Sequence, residues 1–314
     1  MGTRRKFILG TLAAAGALVV GWSAMPPRQR LTTSKPLPVL PGRPAFNGWV
    51  RIGTDDSVTV IVPRSEMGQG VHTALAMLLA EELDADWSRV AVEASPIDAI
   101  YNNIAAATDG LPFHPDDQGR VKSGAVWMTS KLMREFGAMT TGGSSSVKDL
   151  WLPMRQAGAS ARAMLVAAAA AQWHVKAEEI QVSNGELTHA SGKRARFGEM
   201  AAAAASQSLP GEVRLKDPSQ FKRIGRDTKR IEASAKGEGK AGFGMDVVLP
   251  GMLYATVKMC PTLGGQVVSV TDGKALAMPG VKKVLVVGGH HGGTAGVAVI
   301  ADTPWHAMKA LDAI

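Results

Sequence analysis

Apolar and polar residues alternate along residues 50–62, on either side of the pair Asp55-Asp56. A period of two residues is typical of a β-strand, and the acidic pair favours a turn, so this stretch predicts a β-hairpin that Pro63 ends. After a short connection, apolar residues recur at helical spacing. They are Val71, Leu75, Leu78, Leu79 and Leu83. Their spacing predicts an amphipathic helix over residues 71–83.

Helical and strand patterns continue to alternate downstream. Residues 154–173 are rich in alanine and other helix formers, and they predict a helix that can pack closely. Residues 180–197 predict a second hairpin that turns at Asn184-Gly185, and residues 197–206 predict a short helix. This mixture predicts an α/β (α+β) fold built on a mixed sheet.

The last part of the chain, residues 241–314, predicts a second domain. Its strands are predicted at residues 252–259, 265–271, 282–287 and 296–300. A helix is predicted from about Pro304, a residue that suits the first helical position, with Asp302 or Thr303 as its cap.

Two stretches are predicted to connect the domains. Residues 26–47 are rich in proline and polar residues and predict an extended tether, so that folded structure begins near Gly48. Residues 207–240 are polar, basic and contain glycine, and they predict a linker. The first folded domain is therefore expected over residues 48–206.

Composition limits the class of protein. With 46% hydrophobic and 20% charged residues among 314, the chain can bury a core in each of two domains. The net charge of +8 is spread along the chain without an aromatic-interleaved basic motif, so we predict a solvated basic face and no nucleic-acid partner. The single cysteine, Cys260, permits neither an internal disulfide nor a cluster, so any iron–sulfur centre must belong to another chain. We predict no metal ligands, since His290-His291 fits a turn.

The N-terminal residues predict a targeting signal. Residues 3–9 read Thr-Arg-Arg-Lys-Phe-Ile-Leu, and an apolar stretch follows them through Val20. Residues 1–25 therefore resemble a twin-arginine export signal, which predicts a periplasmic location. No sharp cleavage site is visible, so an uncleaved anchor in the inner membrane stays open as an alternative. Twin-arginine export commonly carries proteins already folded around a cofactor, which favours a bound cofactor here.

The connection "EMGQG", residues 66–70, joins the predicted hairpin to the predicted helix. Backbone N–H groups at a helix start point outward, and glycines allow a ligand to approach the main chain. The Gln69 side chain offers both a donor and an acceptor. From the residues alone, a ligand site and a simple turn are both open.

Two segments carry a family resemblance. "EMGQGVHTALAMLLAEELDADWSRVAVEASP" resembles a segment of the molybdopterin-binding large subunits of the xanthine dehydrogenase and aldehyde oxidase family, and "TTGGSSSVKDLW", residues 140–151, resembles a second loop of that family. A flexible Ser/Gly linker would explain the second segment alone, but the order of the two favours the family. The resemblance implies that six residues bind the cofactor: Met67, Gly68, Gln69, Thr141, Ser144 and Ser146.

The C-terminal part resembles the α/β hammerhead domain of the same family. The similar motifs are Leu-Pro-Gly-Met-Leu-Tyr-Ala from residue 249, Met-Pro-Gly-Val from residue 278 and Ala-Asp-Thr-x-Trp from residue 301. Here the hammerhead follows the Met-Gly-Gln-Gly segment. That order resembles the isoquinoline 1-oxidoreductase β-subunit type, which includes membrane-associated aldehyde dehydrogenases.

The resemblance implies an exported molybdenum hydroxylase subunit that oxidises aldehydes or N-heterocycles with water as the oxygen source. It implies molybdopterin cytosine dinucleotide as cofactor, a small [2Fe-2S] subunit as partner and, in periplasmic members, a cytochrome c. The family's Gly-Gly-x-Phe-Gly loop and its Gly-Glu segment with the general base do not occur at matching places. We therefore expect an N-terminal part only, without a catalytic residue. A fragment, a disrupted gene product and one half of a split enzyme are all open, and in the last case the missing C-terminal half is another partner. The alternative is a non-catalytic exported scaffold or decayed subunit that docks an iron–sulfur partner.

Overall fold

The computed structural model describes residues 21–22, 25 and 28–314, so most of the predicted export signal lies outside the described residues. Within the described part, none of the helices is both long enough and apolar enough to cross a lipid bilayer. The described residues divide into two compact units, the first ending at Glu238 and the second covering Gly239–Ile314. The division falls close to the predicted start of the second domain at residue 241.

The first unit is built on a four-stranded mixed sheet. In order across the sheet, the strands are β1 (Ala45–Asn47), β2 (Val50–Ile52), β3 (Val58–Val62) and β4 (Val90–Ala94). The predicted hairpin is confirmed, because β2 and β3 pair antiparallel and Asp56 adopts a left-handed φ of 65° in their turn. Strands β3 and β4 pair parallel, and the predicted helix connects them. The mixed α/β fold is thus confirmed.

The helices of the first unit vary in length from one turn to more than seven. In chain order they are α1 (Val71–Leu83), α2 (Ile104–Thr108), α3 (Arg120–Phe136), α4 (Ser146–Trp173), α5 (Phe197–Ala205) and α6 (Ala233–Gly237). Helices α1 and α4 pack closely, since a Cβ atom at Gly158 would lie 2.2 Å from the carbonyl oxygen of Leu79. The core between them and the sheet buries residues such as Trp49, Val60, Leu75, Leu79, Leu150 and Met154.

Helix α4 begins at Ser146, earlier than the predicted residue 154, and includes Pro153. A proline inside a helix removes the bond to the carbonyl four residues before it, here that of Asp149. Arg30 Nη1 lies 3.5 Å from this carbonyl oxygen and donates to it. The distant cation therefore satisfies the group that Pro153 leaves without a partner, which sequence periodicity does not reveal. Helices α2 and α3 were also not predicted.

Residues 28–47 do not form the predicted tether. Leu31, Leu37 and Phe46 are buried in the core of the first unit. The Arg30 guanidinium donates to the carbonyl oxygens of Ile100 and Asn102, both at 2.7 Å. The prediction was wrong because apolar residues spaced among prolines pack into the core without forming a periodic element.

Residues 216–232, which we call the strap, correct the predicted linker in the same way. The carboxylate of Glu81 accepts the backbone N–H groups of Lys222, Arg223 and Ile224 at 2.6–3.0 Å. The strap is thereby held along α1. Part of its basic charge is paired and not simply solvated, because the Lys222 ammonium lies 3.0 Å from Asp84.

A second sheet of the first unit contains β5 (Ile180–Ser183), β6 (Glu186–His189) and β7 (Arg194–Arg196). The predicted turn is confirmed, with φ of 49° at Asn184 and 77° at Gly185. Such left-handed values suit the Asn-Gly pair. The predicted helix that follows is confirmed as α5.

The second unit contains three antiparallel strands and two helices. In order across the sheet, the strands are β8 (Tyr254–Met259), β10 (Gly296–Ala301) and β9 (Val281–Val287), and the helices are α7 (Gly273–Leu276) and α8 (Pro304–Leu311). Thr303 caps α8 by accepting the His306 N–H at 3.1 Å. Residues 265–271 are not a strand, because Gly264 turns the chain with φ 73° and Val268 is 97% exposed. The hammerhead assignment stays a prediction.

Candidate functional site

The two loops singled out by their sequences lie side by side in the structure. The first loop, residues 65–70, precedes α1, and the second loop, residues 140–146, ends as α4 begins. The Ser65 backbone N–H donates to Thr141 Oγ1 at 2.9 Å and so joins them. A cavity of about 460 Å³ lies between the loops and is lined by Met67, Gln69, Val71, Ala74, Thr141, Gly142, Ser144, Ser146 and Val147.

The cavity brings together five of the six predicted residues, all except Gly68. Gly68 has φ 103°, and no atom lies within 4 Å of the position of a Cβ there. Glycine is therefore required at this position for its backbone conformation and not for lack of space. Its role in the site is to shape the first loop.

The Gln69 side chain is engaged within its own loop. Its Oε1 accepts the Met67 N–H at 2.5 Å, and its Nε2 donates to the Ser65 carbonyl at 2.8 Å. Met67 itself is 69% exposed. The amide thus holds the loop in shape, a use that the inventory of donors and acceptors did not predict.

Glu66 occupies the backbone amides at the start of α1. Its Oε1 accepts the N–H groups of Gly68 and Gly70 at 2.9 Å, and its Oε2 accepts that of His72 at 3.1 Å. Burial raises the pKa of Glu66, but these amides and the Arg230 guanidinium outweigh that effect and lower it. The amides of Gly70 and His72 at this helix start are therefore already paired within the chain.

The second loop, by contrast, has open donors. Neither the Ser144 nor the Ser146 hydroxyl makes a hydrogen bond to any other residue in the described ranges, and α4 has no side-chain cap. A Cβ at Gly142 or Gly143 would meet nothing within 4 Å. Hydroxyls, an uncapped helix start and accessible backbone together suit an anionic ligand.

Two buried residues that were not predicted from the sequence hold the second loop in place through hydrogen bonds. Ser145 is fully buried and donates through its hydroxyl to the Gly142 carbonyl at 2.7 Å. The Asn103 Nδ2 donates to Ser145 Oγ at 2.7 Å and to the Thr140 carbonyl at 3.0 Å. Its Oδ1 accepts the Ala106 N–H at 3.1 Å as the cap of α2. An asparagine before an alanine-rich run was the available signal for that cap.

A buried ionic cluster underlies both loops. Asp149, in the first turn of α4, lies 2.7 Å from the guanidinium of Arg64 and 3.1 Å from that of Arg30. Its other oxygen accepts the N–H groups of Ile104 and Ala105 at 2.9 and 3.1 Å. Burial lowers the pKa of Arg64 to about 10 although Asp149 opposes the shift. Arg64 directly precedes the first loop, and Asp149 lies in the first turn of the helix that follows the second loop. This ionic cluster therefore connects the two loops.

Metal ligation by the chain itself finds no support in residues 21–22, 25 and 28–314, where no three His, Cys, Asp or Glu side chains come together. His291 has φ 51°, which agrees with a turn at the His290-His291 pair.

Comparison with known proteins gives the site its context. Residues 14–111 match the family described as the molybdopterin cofactor-binding domain. The chain is 32% identical over 274 residues to the β-subunit of isoquinoline 1-oxidoreductase from Brevundimonas diminuta, a match that covers 76% of this chain and 31% of that protein.

Two further relatives are more distant. One is the membrane-bound aldehyde dehydrogenase [pyrroloquinoline-quinone] of Gluconacetobacter polyoxogenes, 31% identical over 88% of this chain and 32% of that protein. The other is a subunit of nicotinate dehydrogenase from Pseudomonas putida, 22% identical over 76% of this chain and 18% of that protein. The chain thus spans about a third or less of the length of these relatives.

Among solved structures, quinoline 2-oxidoreductase from Pseudomonas putida 86 matches 52% of this chain and 17% of its own, with 18% identity. Its TM-score of 0.25 is too low to support a structural argument.

The family match defines the class of protein: residues 14–111 are similar to molybdopterin cofactor-binding domains. More specifically, the chain belongs to the family of molybdopterin-binding subunits that includes the isoquinoline 1-oxidoreductase β-subunit.

Proposed function

We propose that this chain forms part of the cofactor site of an exported molybdenum hydroxylase that oxidises aldehydes or N-heterocycles with water as the oxygen source. The observation that carries the proposal is the hydrogen bond from the Ser65 N–H to Thr141 Oγ1, which closes two distant loops around one cavity. The names of the relatives, which include an aldehyde dehydrogenase and an isoquinoline oxidoreductase, support the substrate classes.

The residues present fit the cofactor. The cavity lining contains no carboxylate that would repel phosphates. The Ser144 and Ser146 hydroxyls would bind pyrophosphate or pterin heteroatoms, and the open backbone at Gly142 would allow close approach. Met67 and Gln69 would line the opposite side. When bound, molybdopterin supplies the redox chemistry, while the protein positions it.

The proposal extends to nucleotide form, partners and location. We propose molybdopterin cytosine dinucleotide as the cofactor, a small [2Fe-2S] subunit and a cytochrome c as electron acceptors, and further polypeptide corresponding to the rest of the relatives' length. The designation of two relatives as subunits supports the need for partner chains. The twin arginines near the N-terminus support export to the periplasm, with membrane anchoring as an alternative.

The test is to purify the full chain together with co-expressed neighbouring gene products. Molybdenum would be measured by mass spectrometry, and the nucleotide released by acid hydrolysis would be identified. Because one relative is named for pyrroloquinoline quinone, the same preparation would be assayed for that quinone. Stoichiometric molybdenum with cytidine monophosphate supports the proposal. Quinone without molybdenum would contradict it, and a folded complex with neither would favour the non-catalytic scaffold.

A double variant would assign the second loop to the cofactor. Ser144→Ala with Ser146→Ala removes two hydroxyls that make no internal hydrogen bond, so we expect unchanged thermal stability and a several-fold fall in molybdenum content. Ser183→Ala, at an exposed serine of β5, is the matched control. Equal molybdenum content in both variants would show that these hydroxyls do not contribute to cofactor binding.

A further inference from the structure

The strap reaches the first loop through one side chain. We infer that Arg230 is a positioning residue, which holds the first loop through Glu66 so that the start of α1 is closed to anions and the anionic part of the ligand is directed to the second loop. The inference rests on the proposed function for its ligand, but its geometry is independent of it.

The Arg230 guanidinium bridges three acceptors. Its Nη1 donates to the Gly68 carbonyl at 3.0 Å, its Nη2 donates to Glu66 Oε1 at 2.8 Å, and its Nε donates to Glu232 Oε1 at 2.8 Å. A planar guanidinium can satisfy separate acceptors in fixed directions, whereas an ammonium acts as a point charge. Arg230 therefore fixes both the backbone of the first loop and the carboxylate beneath it.

The backbone of the strap next to Arg230 is itself held by hydrogen bonds to α1. The Ile231 N–H donates to Thr73 Oγ1 at 3.0 Å, and Thr73 Oγ1 donates to Glu232 Oε2 at 3.3 Å. Thr73 is buried in the second position after the start of α1. The Arg230 backbone is thus held against the same helix whose N-terminus it helps to close.

Glu66 then acts as an internal anion. The Glu66 side chain is 7% exposed, and its two oxygens accept the N–H of Gly68 in the loop and those of Gly70 and His72 at the start of α1, where an external phosphate would otherwise bind. A phosphate placed there would meet a carboxylate and not free donors. The second loop carries no such carboxylate. The anionic part of the ligand is therefore expected at the second loop and not at the first.

The test combines hydrogen exchange with cofactor content. Arg230→Ala is compared with Arg230→Lys and with Arg226→Ala, a control at an exposed arginine of the strap. Exchange would be followed in peptides that cover residues 66–72, with residues 75–82 of α1 as the internal reference. We expect at least tenfold faster exchange at residues 66–72 in Arg230→Ala, a partial effect in Arg230→Lys, and none in the control.

The outcomes separate the two proposals. Unchanged exchange at residues 66–72 in Arg230→Ala would overturn the positioning role, whatever the cofactor content. Faster exchange together with a several-fold loss of molybdenum from the co-purified complex supports the positioning role. Faster exchange with full molybdenum content would overturn the claim that Arg230 directs the ligand to the second loop. A wild-type complex without molybdenum would refute the proposed function, while the exchange data would still decide the role of Arg230 in the loop.

Discussion

The first and second loops both lead into helices that pack against each other, yet only one of the two helix starts is open. At α1, Glu66 accepts the N–H of Gly70, which precedes the helix, and that of His72 in its first turn. At α4, the carboxylate of the first turn, Asp149, pairs with the buried Arg64 and Arg30, and the Ser144 and Ser146 hydroxyls make no hydrogen bond within the described residues. Two similar sequence contexts, glycine-rich turns before helices, thus acquire opposite electrostatic character. The Glu66 carboxylate points to the amides at its helix start, whereas the Asp149 carboxylate points to buried guanidiniums.

The strongest challenge to this comparison is to disrupt the buried ionic cluster that connects the two loops. Asp149→Asn would leave the guanidiniums of Arg64 and Arg30 buried without a counter-charge. We expect a loss of about 3–5 kcal/mol in the free energy of unfolding, because an unpaired buried charge is costly. Urea denaturation followed by circular dichroism would measure it.

The control for Asp149 is Asp109→Asn, which removes the partly exposed ion pair with Lys148. An exposed pair contributes less than about 1 kcal/mol. Similar losses in the two variants would show that the buried cluster does not hold the loops.

Backbone conformation separates neighbouring glycines of the second loop. Gly143 has φ 62°, whereas Gly142 does not adopt a left-handed φ, and neither has an atom close to the position of a Cβ. Gly143→Ala is expected to cost about 1 kcal/mol and to lower molybdenum content, because the left-handed conformation is unfavourable for alanine. Gly142→Ala is expected to be neutral or slightly stabilising. Equal unfolding midpoints in urea would contradict the conformational argument.

Much of the fold was readable from periodicity, because it depends on neighbours in sequence. The β2–β3 hairpin, α1 and the Asn184-Gly185 turn are of this kind. Both loops were found through their family resemblance. What could not be predicted depends on distant partners. Arg30 anchors the supposed tether to Asp149, and the strap is bound by carboxylates of α1.

Placing a carboxylate on the second loop would make it resemble the first. Ser144 has φ 54°, a conformation that Asp and Asn tolerate, and it precedes the uncapped start of α4. Relative to Ser144→Asn, we expect Ser144→Asp to stabilise the chain by about 0.3–1 kcal/mol through the helix dipole and yet to lower molybdenum content. Stability and cofactor content would be measured on the same preparations. A parallel rise in both would argue against an anion site at this loop.

A further small effect concerns the first loop and its dependence on pH. The pKa of Glu66 lies below its ordinary value of 4.5 in the folded chain, because the amides of Gly70, His72 and Gly68 and the Arg230 guanidinium outweigh the opposing effect of burial. A carboxylate with a lowered folded pKa contributes stability above its unfolded pKa and loses that contribution as pH falls through the folded value. Wild type should therefore exceed Glu66→Gln by about 0.5–1 kcal/mol at pH 6, as for a helix cap, and the difference should shrink below pH ~4.5. Urea midpoints of both proteins across this range would measure it, with Glu199→Gln, at a glutamate in the first turn of α5, as the control. A difference between wild type and Glu66→Gln that stays constant with pH would mean that the Glu66 charge does not close the start of α1.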